Sequence, residues 1–245
     1  MKTSSRPSTA SLVRRIAGGL SLMLIAVATC AASPAHLGWA EDIALNVTPD
    51  RNEYGTNPNY IRWNGVNGAT GYENRTECSS FVTRVLKQAY GWNDTDFRNW
   101  MGSSSPTAAK YHDTIVSRNG FEAMQSVADI QAGDLIAVKY PQGASPTGHV
   151  MLAVGPATQR TASAPVVEGT TQYEVEVIDS TKSGHGPSDT RKMEDGTWDT
   201  GAGVGILRLY ADGNGVITGY SWSTYSNSVY YDQNSRHLVV GKLIR

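Results

Sequence analysis

Cys78 stands where a thiol can act as a nucleophile. In the run Thr76-Glu-Cys-Ser-Ser-Phe-Val-Thr-Arg-Val-Leu-Lys-Gln-Ala-Tyr-Gly91, Phe81, Val82, Val85, Leu86 and Ala89 recur at helical spacing and make one apolar stripe. Thr76 reads as the N-cap of this helix and Gly91 as its stop. Cys78 then falls in the first turn, where unpaired N–H groups and the positive end of the helix dipole favour a thiolate, the reactive form of cysteine. The competing reading is packing alone, because free cysteine is among the most buried residue types. A second polar group follows much later, Asp179-Ser-Thr-Lys-Ser-Gly-His185-Gly-Pro-Ser-Asp189-Thr-Arg191. Its His and Asp residues, with His149, offer metal ligands and hence a metallohydrolase in which Cys78 is incidental. No compact pair such as His-Glu-x-x-His supports that reading, and the chain is expected to need no metal or other cofactor. Arg191 and Lys182 are read instead as holders of a substrate carboxylate, against the plainer alternative of a polar surface loop.

The elements needed to position such groups are legible. Leu135-Ile-Ala-Val-Lys-Tyr140 predicts a short strand, and Gly148-His149-Val-Met-Leu-Ala-Val-Gly155 one apolar enough to be buried on both faces. Tyr173-Glu-Val-Glu-Val-Ile-Asp179 alternates as a half-buried strand does. Residues 205–210 and 216–222 flank Asp212-Gly-Asn-Gly215, a hairpin signal, and 237–243 predict the last strand. Short helices are expected over 93–101 and over 105–117, with Pro106 in the first turn of the second. Residues 41–75, rich in Asn, Gly, Pro and Tyr, read as an irregular arm, and 156–171 as a lid over the site. Helices first and an antiparallel meander after them give an α+β domain with helices on one face of the sheet.

Composition narrows the class. A formal net charge of −1 over 245 residues argues against nucleic acid as a partner. Twelve tyrosines and six tryptophans against three phenylalanines suggest amphipathic rings lining a groove. Arg6, Arg14 and Arg15 followed by an apolar stretch over 16–32 resemble an export signal, with cleavage after Ala40. A lipid anchor on Cys30 is the lesser alternative. The expected layout is therefore a signal over 1–40 and one domain over 41–245, secreted or held at a bacterial cell envelope. Cleavage would leave Cys78 as the one cysteine, unable to form an internal disulfide, and retention of a lone thiol in an oxidising compartment favours a use for it.

Three segments resemble the NlpC/P60 branch of the papain-like cysteine hydrolases. Glu77-Cys-Ser-Ser-Phe-Val82 is similar to that family's Asp-Cys-Ser-Gly-Phe-Val nucleophile motif, Ile130-Gln-Ala-Gly-Asp-Leu-Ile-Ala-Val138 to its strand-opening Pro-Gly-Asp-Leu, and Gly148–Gly155 to its Gly-His-Val-Gly-Ile-Tyr strand. The resemblance covers roughly residues 60–181. It implies a nucleophile helix packed on an antiparallel sheet of about five to six strands, and hydrolysis of amide bonds in peptidoglycan stem peptides. By this resemblance Cys78 is the nucleophile, His149 the general base and Asp179 the residue that orients it, where the family more often has His, Asn or Gln. Tyr60 and Ser79 fall at substrate-side positions, and Ser80 and Met151 replace two glycines of the family pattern. A non-catalytic wall-binding module and a toxin-like amidase or acyltransferase on the same fold stay open beside the hydrolase.

Overall fold

In the computed structural model, residues 33–245 apart from Thr56 are described. The basic and apolar parts of the expected export signal, and Cys30, lie outside them. The described residues form a mixed α+β domain whose helices come mostly first and whose large sheet is antiparallel throughout.

The first element corrects the expected irregular arm. Helix α1 (Ala35–Asn46) buries His36, Leu37, Ala40, Ile43 and Ala44 on one face. The boundary expected at Ala40 therefore falls inside a helix whose buried face begins upstream of it. Trp39 also contributes, its carbonyl accepting the Trp63 indole N–H at 2.9 Å. Three short strands, β1 (Asn52–Tyr54), β2 (Tyr60–Arg62) and β3 (Glu73–Thr76), form a small separate sheet in the order β1-β3-β2. Strands of three or four residues carry too little alternation to be read from sequence.

Helix α2 (Cys78–Tyr90) follows directly from β3 and ends on Gly91, whose φ of 68° is the left-handed conformation that glycine adopts without cost. Its N-cap is Glu77, not Thr76. The Thr76 hydroxyl donates to Asn74 Oδ1 at 2.6 Å, while Ser80 Oγ accepts the Glu77 N–H at 2.9 Å. Helix α3 (Asp94–Met101) is capped by the Asn93 side chain and α4 (Ala108–Val116) by Thr107 Oγ1, one position after the proline expected to open it.

The main sheet has nine strands rather than five or six. They are β4 (Phe121–Met124), β5 (Leu135–Lys139), β6 (Gly148–Ala153), β7 (Thr158–Gln159), β8 (Thr171–Thr181), β9 (Gly201–Ala211), β10 (Ile217–Ser221), β11 (Tyr230–Asp232) and β12 (His237–Leu243). The order is β11-β10-β9-β8-β6-β5-β12-β4, with β7 paired on β8. The additional strands β4, β7 and β11 are short, and β8 and β9 are longer than their alternating cores.

Both faces of the central strands are dry. On β5 and β6, Leu135, Ala137, Val150 and Leu152 pack with residues of α1, α2 and α4. The alternate residues Ile136, Val138, Met151 and Ala153 pack with Val177, Leu207, Leu209, Ile217 and Tyr220 of the sheet's far half. Helices cover one face; the other is covered by the curl of the sheet on itself, so the pattern of β6 is continuously apolar. At about 25 cal/mol per Å² of apolar surface removed from water, such a two-sided core supplies the main drive to fold. No helix among the described residues is long and apolar enough to cross a membrane.

Candidate active site

Each site residue is placed by a simple local rule. Cys78 opens α2, so its own amide and that of Ser79 belong to the first turn, where N–H groups have no intrahelical carbonyl to bind. His149 is the second residue of β6. Gly148 before it has no room for a side chain, because a Cβ there would overlap the Val138 carbonyl of β5. Asp179 lies near the end of β8, which is paired directly with β6 through Leu152–Ile178 and Ala153–Val177.

These three residues come together. His149 Nε2 lies 2.6 Å from Asp179 Oδ2, and the Cys78 side chain lies close enough to act on the same imidazole. Cys78 is 4 % exposed, His149 5 % and Asp179 0 %. Burial works against a charged His149, but the Cys78 charge and the bonds to Asp179 and Cys78 outweigh it and raise its pKa to about 10.

Asp179 is itself held from behind. Its Oδ2 also accepts from His185 Nε2 at 2.9 Å, and its Oδ1 from the Arg191 guanidinium at 2.8 Å. Burial alone would raise its pKa, yet the His185 and Arg191 charges and the two histidine bonds hold it well below the usual carboxylate range. Arg191 reaches on to Asp189 through two bonds of 2.8 and 2.7 Å, and Asp189 accepts the His185 backbone N–H at 2.7 Å. The opposite ring nitrogen of His185 faces the Trp222 carbonyl at 2.7 Å. The Trp222 ring stacks on His185 at 4.2 Å and stands edge-on to His149 at 4.7 Å. Glycines make the space for this cluster. A Cβ on Gly203 would meet the Arg191 side chain, and one on Gly205 would meet Asp189 and His185.

The cleft above these groups has a volume of about 630 Å³. Cys78, Ser79 and His149 line it together with Tyr54, Tyr140, Trp222, Tyr231, Lys182 and Arg236. Ser79 and Lys182, expected on the substrate side, both line this cleft. Tyr60 is not: it lies on β2 in a separate groove, its hydroxyl 2.5 Å from Glu73 Oε1. Tyr54 of β1 is the phenol beside the thiol. Burial and the Cys78, Glu77 and Asp179 charges all push its pKa up. Arg191 is also not a cleft residue; it is 2 % exposed and occupied by two carboxylates. The expected lid over 156–171 lies elsewhere, with Arg160 bonded to Glu174 and Gln172 and none of its residues lining the cleft. Sequence reasoning missed Tyr54, Tyr140, Trp222, Tyr231 and Arg236, although the excess of Tyr and Trp points to a ring-lined groove.

His149, Asp179 and His185 also form a group whose ligand atoms lie within 4.8 Å of one another. They do not fit a metal well. Asp179 Oδ2 is 2.6 and 2.9 Å from the two imidazole nitrogens. Donor atoms around a tetrahedral ion with bonds of about 2.0–2.1 Å stand roughly 3.3 Å apart. The remaining oxygen of Asp179 and both oxygens of Asp189 are taken by Arg191 and the His185 amide. The residues make a closed hydrogen-bonded group instead.

No family model matches the chain, and no solved structure matches it. Among curated proteins, the uncharacterized protein R653 of Acanthamoeba polyphaga mimivirus is 31% identical over 220 residues, covering 86% of this chain and 96% of that relative. The chain belongs to the family of that viral protein.

Proposed function

We propose that the protein is a cysteine hydrolase of papain-like, NlpC/P60-type arrangement that cleaves amide bonds, with peptidoglycan stem peptides as the substrate class. One observation carries the reading: His149, bonded at 2.6 Å to the buried Asp179, lines an open cleft together with Cys78, whose side chain acts on the same imidazole. A nucleophile, a base and a group orienting the base are the parts that acyl transfer through a covalent intermediate requires.

The steps follow from these residues. His149, raised to about pKa 10, holds a proton beside Cys78, and in this reading the sulfur reacts as a thiolate opposite that imidazolium. Cys78 Sγ attacks the amide carbonyl, and the Cys78 and Ser79 N–H groups at the start of α2 face the oxyanion that forms. His149 passes its proton to the departing amine, leaving a thioester on Cys78. His149 then takes a proton from water, which attacks the thioester and releases the acid. Asp179 holds the imidazole through Nε2, which leaves Nδ1 for the proton transfers, and the edge of Trp222 limits rotation of the ring.

The test is digestion of purified peptidoglycan by the full chain, with the new ends identified by mass spectrometry. New amine and carboxyl ends within the stem peptide, absent with Cys78→Ala, are expected. An intact wall after prolonged incubation with a protein whose Cys78 alkylates readily would remove peptidoglycan as the substrate.

A further inference from the structure

We propose that Arg236 is an anion-recognition site in the Cys78 cleft and that the molecule taken there carries a carboxylate next to the bond presented to the thiol. This rests on the hydrolase reading only in calling that molecule a substrate; the binding itself does not depend on turnover.

Arg236 precedes β12 and lines the cleft. Its guanidinium lies 3.9 Å from the centre of the Tyr231 ring and 4.3 Å from that of Tyr140. Two aromatic contacts fix the plane of the fork and remove part of its water without supplying a counter-charge. Among the described residues it has no ion pair within 4 Å. The acid nearest in sequence, Asp232, instead accepts the N–H groups of Asn234 and Ser235. Tyr220, fully buried, stands beside the fork, and its hydroxyl is a neutral hydrogen-bonding neighbour of the Arg236 guanidinium rather than an acid. A half-buried, pre-positioned guanidinium lacking an acid is poorly satisfied unless an anion supplies one.

The placement ties this group to the reaction centre. In the sheet order β8-β6-β5-β12, His149 sits on β6, Lys182 follows β8 on one side, and Tyr140 and Arg236 adjoin β5 and β12 on the other. Tyr140 lies within the influence of both the Cys78 and the Arg236 charges, so it spans the two. Charge is balanced on the β8 side, where Glu77 and Lys182 both neighbour Tyr54. Among the described residues Glu77 is the one acid lining the cleft, so the β5–β12 side is the electropositive one. A planar fork held between rings matches a carboxylate, whereas exposed Lys182, with one ring at 5.5 Å, is a mobile point charge.

Binding to the full chain carrying Cys78→Ala tests this without turnover. The probes are two matched pairs, N-acetyl-Glu-Ala-amide against N-acetyl-Gln-Ala-amide and N-acetyl-Ala-Glu-amide against N-acetyl-Ala-Gln-amide, followed by ligand-observed NMR. In at least one pair the acid should bind about tenfold more tightly, the yield of one charge-assisted pair in a partly dry site. That preference should vanish in Arg236→Gln, persist in part in Arg236→Lys, and survive Lys182→Gln. Equal binding within both pairs, or a preference that Arg236→Gln leaves intact, overturns the proposal. Loss through Lys182→Gln instead would move the anion to the β8 side and overturn it equally. Failure of the chain to cleave any amide, with the acid preference present, would sink the hydrolase reading and leave the anion site standing.

Discussion

His149 Nε2 and Asp179 Oδ2 are 2.6 Å apart, with the second oxygen of Asp179 bound to Arg191 at 2.8 Å. The carboxylate that orients the imidazole is therefore also the counter-ion of a buried guanidinium. Two consequences are tied together in one side chain, and they separate experimentally.

Asp179→Asn keeps the shape but removes the charge and lets the amide donate toward His149. Turnover should fall roughly tenfold to a thousandfold, about 1.4 to 4 kcal/mol of transition-state stabilisation, because a thiolate–imidazolium pair depends less on a third group than a serine does. Arg191 would keep Asp189 but lose one of its two carboxylates, and breaking a buried pair in this way costs about 3–5 kcal/mol of folding stability. Denaturant unfolding beside steady-state kinetics checks both effects. Full activity with an unchanged pH profile would reduce Asp179 to a structural ion-pair residue.

The pH dependence has opposite signs at the two members. His149 is raised from 6.5 to about 10, so its contribution to stability is complete below about pH 6.5 and is lost as pH rises through about 10. Asp179 is held below its ordinary value, so its contribution is complete above about pH 4 and is lost as pH falls through its depressed folded value. Stability should be flat between about pH 4 and 6.5, decline from there toward about pH 10, and fall on the acid side as Asp179 is protonated. Hydrolysis should persist well above pH 7 and decline only near pH 10. Urea unfolding of the wild type and His149→Gln across this range is the check; a variant that keeps the alkaline loss in full would exclude His149 as its source.

Much of this site is legible in the order of residues along the chain. The apolar stripe of 81–89 and Gly91 determine α2, and so put Cys78 in its first turn; the alternation of 173–179 determines the strand that carries Asp179, two residues short of its end at Thr181. Contact made at long range leaves no such local trace. Arg191 and Lys182 look alike in a polar run, and only the glycine trough of β9 decides that one is inside and the other out. Tyr60 and Tyr54 are likewise separated by the three-stranded sheet, whose members are too short to show a period. The aromatic wall of Tyr140, Trp222 and Tyr231 comes from three different strand ends, so composition announces a ring-lined groove without naming its residues. A boundary at Ala40 cuts α1 in two, which hides the spacing of Leu37, Ala40, Ile43 and Ala44 and makes residues 41–46 look irregular.

The glycine trough leads to a prediction about packing. A methyl group on Gly205 would collide with the Asp189 carboxylate and His185 Cβ, both immobilised by hydrogen bonds. Overpacking of this kind costs about 1–3 kcal/mol and displaces neighbours. Gly205→Ala should lower thermal stability and reduce turnover together, although residue 205 does not line the cleft. Gly213→Ala, where a Cβ would meet nothing within 4 Å, is the control and should change neither. Equal behaviour of the two variants would show that the His185–Asp189 loop yields easily and does not brace Asp179.

The final prediction sets the thiol against the metal alternative. If Cys78 carries the chemistry, iodoacetamide should abolish hydrolysis in step with modification of this residue, and dialysis against a chelator should leave it intact. Alkylation should also slow in His149→Ala, which removes the partner that holds the thiol ready, while His185→Gln, one residue further from sulfur, should slow it less. A metal held by His149, Asp179 and His185 would give the reverse: activity lost to the chelator, restored by added zinc, and tolerant of alkylation. Asp179 distinguishes the two chemistries once more. An ion would have to displace Arg191 or part the two imidazoles from an oxygen they approach at 2.6 and 2.9 Å. Loaded protein should then show a changed tryptophan fluorescence, because Trp222 stacks on one of those rings. A chain whose fluorescence and activity are both indifferent to zinc and to chelator, and whose activity ends with one alkylated cysteine, would leave the thiol as the reacting group.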